Sequence, residues 1–307
     1  MSDPAQTPSP QQLVTELVSL LTVEPTGPAT YTGRPQPDGI GRVFGGQVVA
    51  QALQAAQASA SDGKIAHSLH VYFLRGGREG VPIDYTVTTD FEGRSFANRR
   101  VLASQEGTPI LNCTLSFQLP ETGLSHQDAP MPDVPAPDTL PSDRTLRERW
   151  IAEQETPPSN AHKAFMLRPR AIEMRPAEPP HWMASPETGD LASPVQHNWL
   201  RTAAALPDDP ALHRAVLAYA SDYTLLGTAA IPHGLSWMRG EVSGASLDHA
   251  VWFHDSVRCD DWLLYSTKSP WSGAGRGFNR GQIFTANGTL VASVAQEGVL
   301  RRKRSGS

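Results

Sequence analysis

The chain has 307 residues, 39% of them hydrophobic and 19% charged, with a formal net charge of −5. That length suits two units of about 100–150 residues each, and the mild acidity argues against a nucleic-acid partner. The lone cysteines Cys113 and Cys259 suggest neither a disulfide framework nor a cysteine zinc site. The opening "MSDPAQTPSPQQL" lacks a basic segment followed by an apolar one, and no apolar run is long enough to cross a bilayer. A soluble, cytoplasmic protein with no membrane partner is the expectation. The closing "RRKRSGS" reads as a solvated basic tail.

In chain order, "VFGGQVVAQALQAAQASA" (43–60) predicts an alanine-rich helix, with Val49, Leu53 and Ala56 at helical spacing. Four strand-like runs follow: "HSLHVYFL", "PIDYTVTTDF", "SFANRRVLAS" and "PILNCTLSFQ", rich in Val, Thr, Tyr and Phe and separated by glycine-containing turns. Fourteen of the 27 prolines then lie between Pro120 and Pro194. Residues 120–163 accordingly read as an extended proline-rich linker rather than a packed element, with one short helix in "SDRTLRERWIAEQ". After it, "PDDPALHRAVLAYASDYTLLGTAA" (207–230) predicts a second helix. Asp209 is its N-cap, Pro210 its first residue, and Leu212, Val216, Tyr219, Tyr223 and Leu226 its apolar stripe. Four more strands are predicted in "SLDHAVWFH", "DWLLYSTKS", "GFNRGQIFT" and "TLVASVAQEGVL".

The two halves echo one another. "HSLHVYF" answers "ASLDHAVWF", "GRSFANRR" answers "GRGFNRGQ", and "EGTPIL" answers "NGTLV", all in the same order. This argues for a duplicated unit, each copy a helix followed by an antiparallel sheet of at least four strands. Such a helix is buried most simply by wrapping the sheet around it, giving an α+β protein with two units over 10–119 and 164–302.

A helix wrapped by a curved antiparallel sheet is the hotdog fold, and two in tandem make a double hotdog. The stretches "GRVFGGQVVAQAL", "HSLHVYFLRGG", "GRSFANRRV", "YASDYTLL", "ASLDHAVWFH" and "LVASVAQEGVLR" resemble the acyl-coenzyme A thioesterases of the type II (TesB-like) class. The resemblance implies an acyl-CoA substrate, a homo-oligomer and no cofactor. It also implies a water-activating set of an Asp, a Ser or Thr, and a Gln, which falls here on Asp222, Ser246 and Gln296 of the second copy.

Those residue types suit thioester hydrolysis. A carboxylate within hydrogen-bond reach can orient and deprotonate water, and burial beside an apolar stripe raises its pKa toward that of a better base. Ser246 and Gln296 supply a hydroxyl and an amide. Gln296 shares one strand parity with Leu290, Ala292 and Val294, so it points with apolar neighbours and needs a hydrogen-bond partner. Blander readings stand beside these: Asp222 as a cap or a solvated helix residue, Ser246 as a turn serine, Gln296 as a structural amide.

Gly45 and Gly46 at a helix start suit close approach by a phosphate or a thioester carbonyl, or alternatively tight helix–sheet packing. Arg276, with Gly277 beside it, is a candidate for coenzyme A phosphates, or for a local ion pair. His249 and His254 on one strand face opposite sides, so no metal site is expected. "GAGRG" precedes a strand rather than a helix and is no dinucleotide loop. No G-x-S-x-G occurs, which disfavours a serine hydrolase. The open alternatives are a hotdog enoyl-CoA hydratase, which needs a paired Asp and His, and a non-catalytic acyl-CoA binding or sensing protein. Within the echo, aligning "HSLH" with "ASLD" sets Ser68 opposite Ser246 and Ser116 opposite Gln296, and finds no counterpart of Asp222 in the first copy.

Overall fold

The computed structural model describes residues 7–36, 41–60, 63–183 and 193–303. The last four residues of the predicted basic tail lie outside the described residues. Helix α1 (Pro10–Leu21) starts at a capping box in which Ser9 Oγ accepts from the Gln12 amide and Gln12 Oε1 from the Ser9 amide. The hairpin β1 (Val23–Gly27) and β2 (Thr30–Gly33) leads to helix α2 (Gly45–Ala58). Strands β3 (Ile65–Phe73), β4 (Ile83–Glu92), β5 (Phe96–Gln105) and β6 (Thr108–Gln118) complete the first unit. Helices α3 (Asp143–Glu153) and α4 (Asn160–Leu167) precede a second hairpin of β7 (Ile172–Pro176) and β8 (Val195–Thr202). Helices α5 (Pro210–Ser221) and α6 (Leu225–Thr228) come next. The chain ends in β9 (Val242–Ser246), β10 (Asp248–Phe253), β11 (Leu263–Gly273), β12 (Arg276–Thr285) and β13 (Leu290–Arg302).

Among the described residues, all thirteen strands belong to one antiparallel sheet, ordered β1-β2-β4-β5-β6-β3-β10-β13-β12-β11-β8-β7, with β9 added to β13. The central pair β3–β10 joins the two units into a double hotdog. Each unit therefore holds a hairpin, a long helix and a run of strands, four (β3–β6) in the first and five (β9–β13) in the second; the β1–β2 and β7–β8 hairpins are edge pieces that the apolar pattern does not reveal. Both long helices are enclosed. Val49, Leu53, Ala52 and Ala56 of α2 and Ala215, Val216 and Ala218 of α5 are fully buried. The helices run antiparallel: Gln57 near the end of α2 donates to the Ala211 carbonyl near the start of α5, while Gly46 lies against Tyr219. Alanine and glycine at the contact let the two backbones approach closely.

Three local differences from the sequence expectation have physical causes. The predicted helix over 207–230 stops at Ser221, because Thr224 turns into the left-handed region at φ 62°; α6 is a separate turn. The predicted strand "SLDHAVWFH" divides at Leu247, where the chain crosses from β9, paired with β13, to β10, paired with β3 and β13. Residues of the proline-rich stretch are packed rather than free. Gln127 bonds both Gly288 and Leu290, Trp199 Nε1 donates to the Pro135 carbonyl at 2.9 Å, and Met131, Val134 and Leu140 cover Trp199, Leu264 and Phe284. Prolines spare that segment the need for ladder partners, while its apolar side chains still bury surface.

The β-bulges fix how the copies correspond. The ladder slips between Ala103 and Ser104 in β5 and between Ile283 and Phe284 in β12. It slips again just before the Phe91–Asn98 pair in the first unit and the Trp271–Phe278 pair in the second. In that register Tyr85 answers Tyr265, Leu69 answers His249, Arg99 answers Asn279 and Leu115 answers Gln296. Ala97, not Ser95, answers Gly277, so the Gly-Arg-x-Phe echo is out of step by two positions. Ser68 likewise answers Asp248 rather than Ser246, and Ser116 does not answer Gln296.

Gly277 has a packing reason of its own. A Cβ added there would lie 2.4 Å from the Cβ of Ala229, which caps α6. Gly277→Ala is expected to lower stability by about 1–3 kcal/mol through overpacking. Adding Ala229→Gly in the same chain should recover most of that loss in urea unfolding midpoints; an unchanged midpoint in the single variant would refute the contact.

Candidate active site

Asp222 is the C-cap of α5 rather than a residue within it. Its backbone stays near helical values, and the reversal at Thr224 then swings the chain away, leaving the carboxylate at the junction of the two helices. A left-handed conformation is costly for a β-branched residue, on the order of 1–3 kcal/mol, and persists where the surroundings hold it. Here Gln196 Nε2 donates to the Thr224 carbonyl at 3.1 Å and to Thr228 Oγ1 at 2.7 Å.

The structure brings the three expected residues together. Gln296 Nε2 on β13 donates to Asp222 Oδ1 at 2.6 Å and to Ser246 Oγ at 2.9 Å. Gly298 and Ser246 face each other across the β9–β13 ladder, which carries the serine to within reach of the glutamine. The second carboxylate oxygen, Asp222 Oδ2, accepts from the backbone N–H of Gly46 at 2.8 Å. That bond links the start of α2, in the first unit, to the end of α5, in the second. Gly45 and Gly46 allow it: a Cβ on Gly45 would lie 2.8 Å from Asp222 Oδ2, and one on Gly46 would lie 2.5 Å from the Tyr219 carbonyl.

Asp222, Ser246 and Gly45 line a cavity of about 1350 Å³, walled in part by Phe44, Phe73 and Trp237. Such a volume exceeds what a small metabolite needs. Burial pushes the Asp222 carboxyl up to about 6, against the pull of the Gln296 amide and the Gly46 N–H, which both favour the ionised form.

Arg276 and Gly277 are not brought to this cavity. Arg276 pairs with Glu297 at 3.3 Å and lies over the Trp271 ring, while Gly277 packs on Ala229. His249 is fully buried, with Nε2 2.9 Å from Ser221 Oγ; His254 lies just past β10 and meets Ser293 Oγ. No group of three or more metal-ligating side chains occurs among the described residues. Sequence reasoning missed Gln196, Thr224, Tyr265 and the supporting place of His249. Tyr265 and His249 share one signal that was available, a polar side chain on the apolar parity of a strand. The hold of Gln196 on Thr224 spans two elements and leaves no local trace.

Residues 33–118 match the acyl-CoA thioesterase N-terminal domain and residues 168–299 the acyl-CoA thioesterase family. Human acyl-coenzyme A thioesterase 8 is 36% identical over 296 residues, covering 94% of this chain and 89% of that protein. The chain belongs to the acyl-CoA thioesterase family of the type II, TesB-like kind. Acyl-CoA thioesterase 2 of Haemophilus influenzae is 35% identical, covering 94% of this chain and 98% of its own length. Among solved structures, the acyl-CoA thioesterase II TesB2 of Mycobacterium marinum superposes with a TM-score of 0.73 at 38% identity, covering 94% of this thioesterase-family chain and 99% of its own.

The raised Asp222 pKa has a stability consequence. An acid that holds its proton more tightly when folded penalises the native state above its folded pKa. That penalty disappears as the pH falls toward the unfolded value of about 4. Asp222→Asn should therefore be more stable than wild type at pH 8, by about 3 kcal/mol for a shift of roughly two pKa units. The advantage should vanish near pH 4. Parallel urea titrations at both pH values test this, and an equal difference at both would contradict the burial of an ionised Asp222.

Proposed function

We propose that this protein hydrolyses acyl-CoA thioesters to the fatty acid and coenzyme A, with Asp222 as general base and Ser246 and Gln296 as partners in placing the water and the carbonyl. The observation that carries the reading is the Asp222–Gln296–Ser246 hydrogen-bonded set at the wall of a large cavity. Its membership of the acyl-CoA thioesterase family supports the substrate class.

The chemistry follows from the contacts. Each Asp222 oxygen already accepts one protein hydrogen bond and keeps a lone-pair direction for a water proton. Ser246 Oγ accepts from Gln296, so its own hydrogen is free to donate. Water attacks the thioester carbon as its proton passes to Asp222. The first residues of a helix have N–H groups with no intrahelical acceptor, which makes the Gly45 amide the donor for the developing oxyanion. Collapse breaks the carbon–sulfur bond, and the proton on Asp222 goes to the leaving thiolate. Hydroxide has then added to the acyl carbon and a proton to sulfur. An acid near pKa 6 suits both steps: it is ionised at neutral pH, yet acidic enough to protonate a thiolate of pKa about 8–9.

A hydratase would need an acid–base pair open to its substrate. His249, the histidine beside this site, is fully buried and engaged with Ser221.

Since the ionised carboxylate is the working form, kcat is expected to fall as pH drops through about 6, the value set by burial. Asp222→Asn should lower kcat by about 10²–10⁴-fold and abolish the acid limb. The assay follows free thiol from a panel of acyl-CoA esters, alongside binding by calorimetry. Acyl-CoA binding with no thiol release from wild type would make the protein a sensor. A hydroxyacyl product from an enoyl ester would make it a hydratase.

A further inference from the structure

His249 is an expensive residue to bury. It is fully enclosed, burial pushes its pKa down to about 3, and its Nδ1 has no hydrogen-bond partner among the described residues. The duplication supplies an internal control. The corresponding place in the first unit is taken by Leu69, also fully buried on β3 under the same sheet curvature. An apolar residue thus fits this fold at this position, and packing alone does not call for a histidine.

The second unit differs in what lies above that position. Ser221, the last residue of α5 and the neighbour of Asp222, is fully buried. Its hydroxyl donates to the Ala218 carbonyl at 2.9 Å, so the hydrogen is committed and the oxygen accepts from His249 Nε2–H at 2.9 Å. The carbonyl of the same residue, half of the peptide that carries Asp222, accepts from Tyr265 Oη at 2.7 Å. Two side chains from the sheet therefore hold the Ser221–Asp222 peptide, one by its side chain and one by its carbonyl. The first unit keeps the tyrosine but uses it elsewhere: Tyr85 Oη donates to Gln51 Oε1.

We infer that His249 is a positioning residue for catalysis, which fixes the end of α5 through Ser221 and so sets the Asp222 carboxylate against Gln296 and Gly46. The neutral Nε2–H form does this at any pH where the protein works. The role accounts for a polar residue in a position that its duplicate fills with leucine. Helix ends fray readily, and Asp222 sits between a helix end and the left-handed Thr224. A displacement of about 1 Å at a reacting group is enough to lose roughly 10²-fold in rate.

The inference rests on Asp222 acting as the base, and that premise fails separately, if Asp222→Asn turns over like wild type. Given the premise, His249→Leu should fold with an unchanged or higher melting temperature, because it removes an unpartnered buried nitrogen. Its kcat for a saturating acyl-CoA should fall about 10–100-fold with KM within twofold. His249→Gln, whose amide nitrogen reaches about as far as Nε2, should recover most of the rate; His249→Asn, one bond shorter, should not. Ser221→Ala should reproduce the loss, and combining it with His249→Leu should add little further, since both break one linkage. Wild-type kcat in His249→Leu overturns the inference. So do equal losses in the Leu and Gln variants, or additive losses in the double variant. If His249→Leu does not fold, Ser221→Ala and His249→Gln still decide the matter.

Discussion

The hydrogen bond from the Gly46 amide to Asp222 is the constraint around which the molecule is arranged. It requires the start of α2 to meet the end of α5, hence two antiparallel helices, and that requires two units whose sheets join edge to edge at β3 and β10. Each helix end contributes a field of opposite sign. The N-terminus of α2 favours a negative charge on Asp222, the C-terminus of α5 opposes it, and burial opposes it further. The outcome is a carboxyl near 6, rather than the fully ionised group an exposed aspartate would be or the neutral one that burial alone would produce.

The two copies of the unit have diverged along one row of inward-facing positions. Leu69, Leu115 and Arg99 in the first unit stand where His249, Gln296 and Asn279 stand in the second. Arg99 is itself buried, but its partners are Glu92 and the Ser59 carbonyl at the end of α2, so it closes that helix and the turn beside it. The first unit thus keeps a core in which the inward positions serve stability. The second gives up apolar burial at two of these positions, His249 and Gln296, and sets the Asp222 carboxylate among polar groups. Fusing the copies in one chain allows this division, because each supplies one helix end to a single site.

Much of this was legible in the sequence. The alternation around Gln296 placed it inward, Asp209–Pro210 marked a helix start, and the ordered echoes indicated duplication. The failures were all of tertiary origin. Nothing local stops a helix at "SDYTLL"; Thr224 turns left-handed because Gln196, on β8, bonds its carbonyl. Nothing in "ASLDHAVW" announces that Leu247 carries the chain from one strand pairing to another. The Gly-Arg-x-Phe motif misled by two positions because the hairpins it occupies differ. In the first unit Gly93–Phe96 form the loop beyond the Glu92–Ala97 pair. In the second the ladder runs on to the Gly273–Arg276 pair, closing on Ala274 and Gly275, both at positive φ. A shared motif on turns of different length does not mark equivalent residues.

The stability penalty in the second unit persists because of where its polar groups are mounted. Tyr265, Asn279, Gln296 and His249 come from β11, β12, β13 and β10, four adjacent strands held by continuous ladders. A sheet of that extent moves little, so polar groups mounted on it keep fixed positions relative to one another. A helix end does not have that property by itself. Asp222 must remain at a helix end, because only there can its two oxygens reach a second helix on one side and a strand on the other. The buried tyrosine and histidine tie the helix end that carries Asp222 to the sheet. Their desolvation is the physical counterpart of holding a partly destabilised carboxylate in one place.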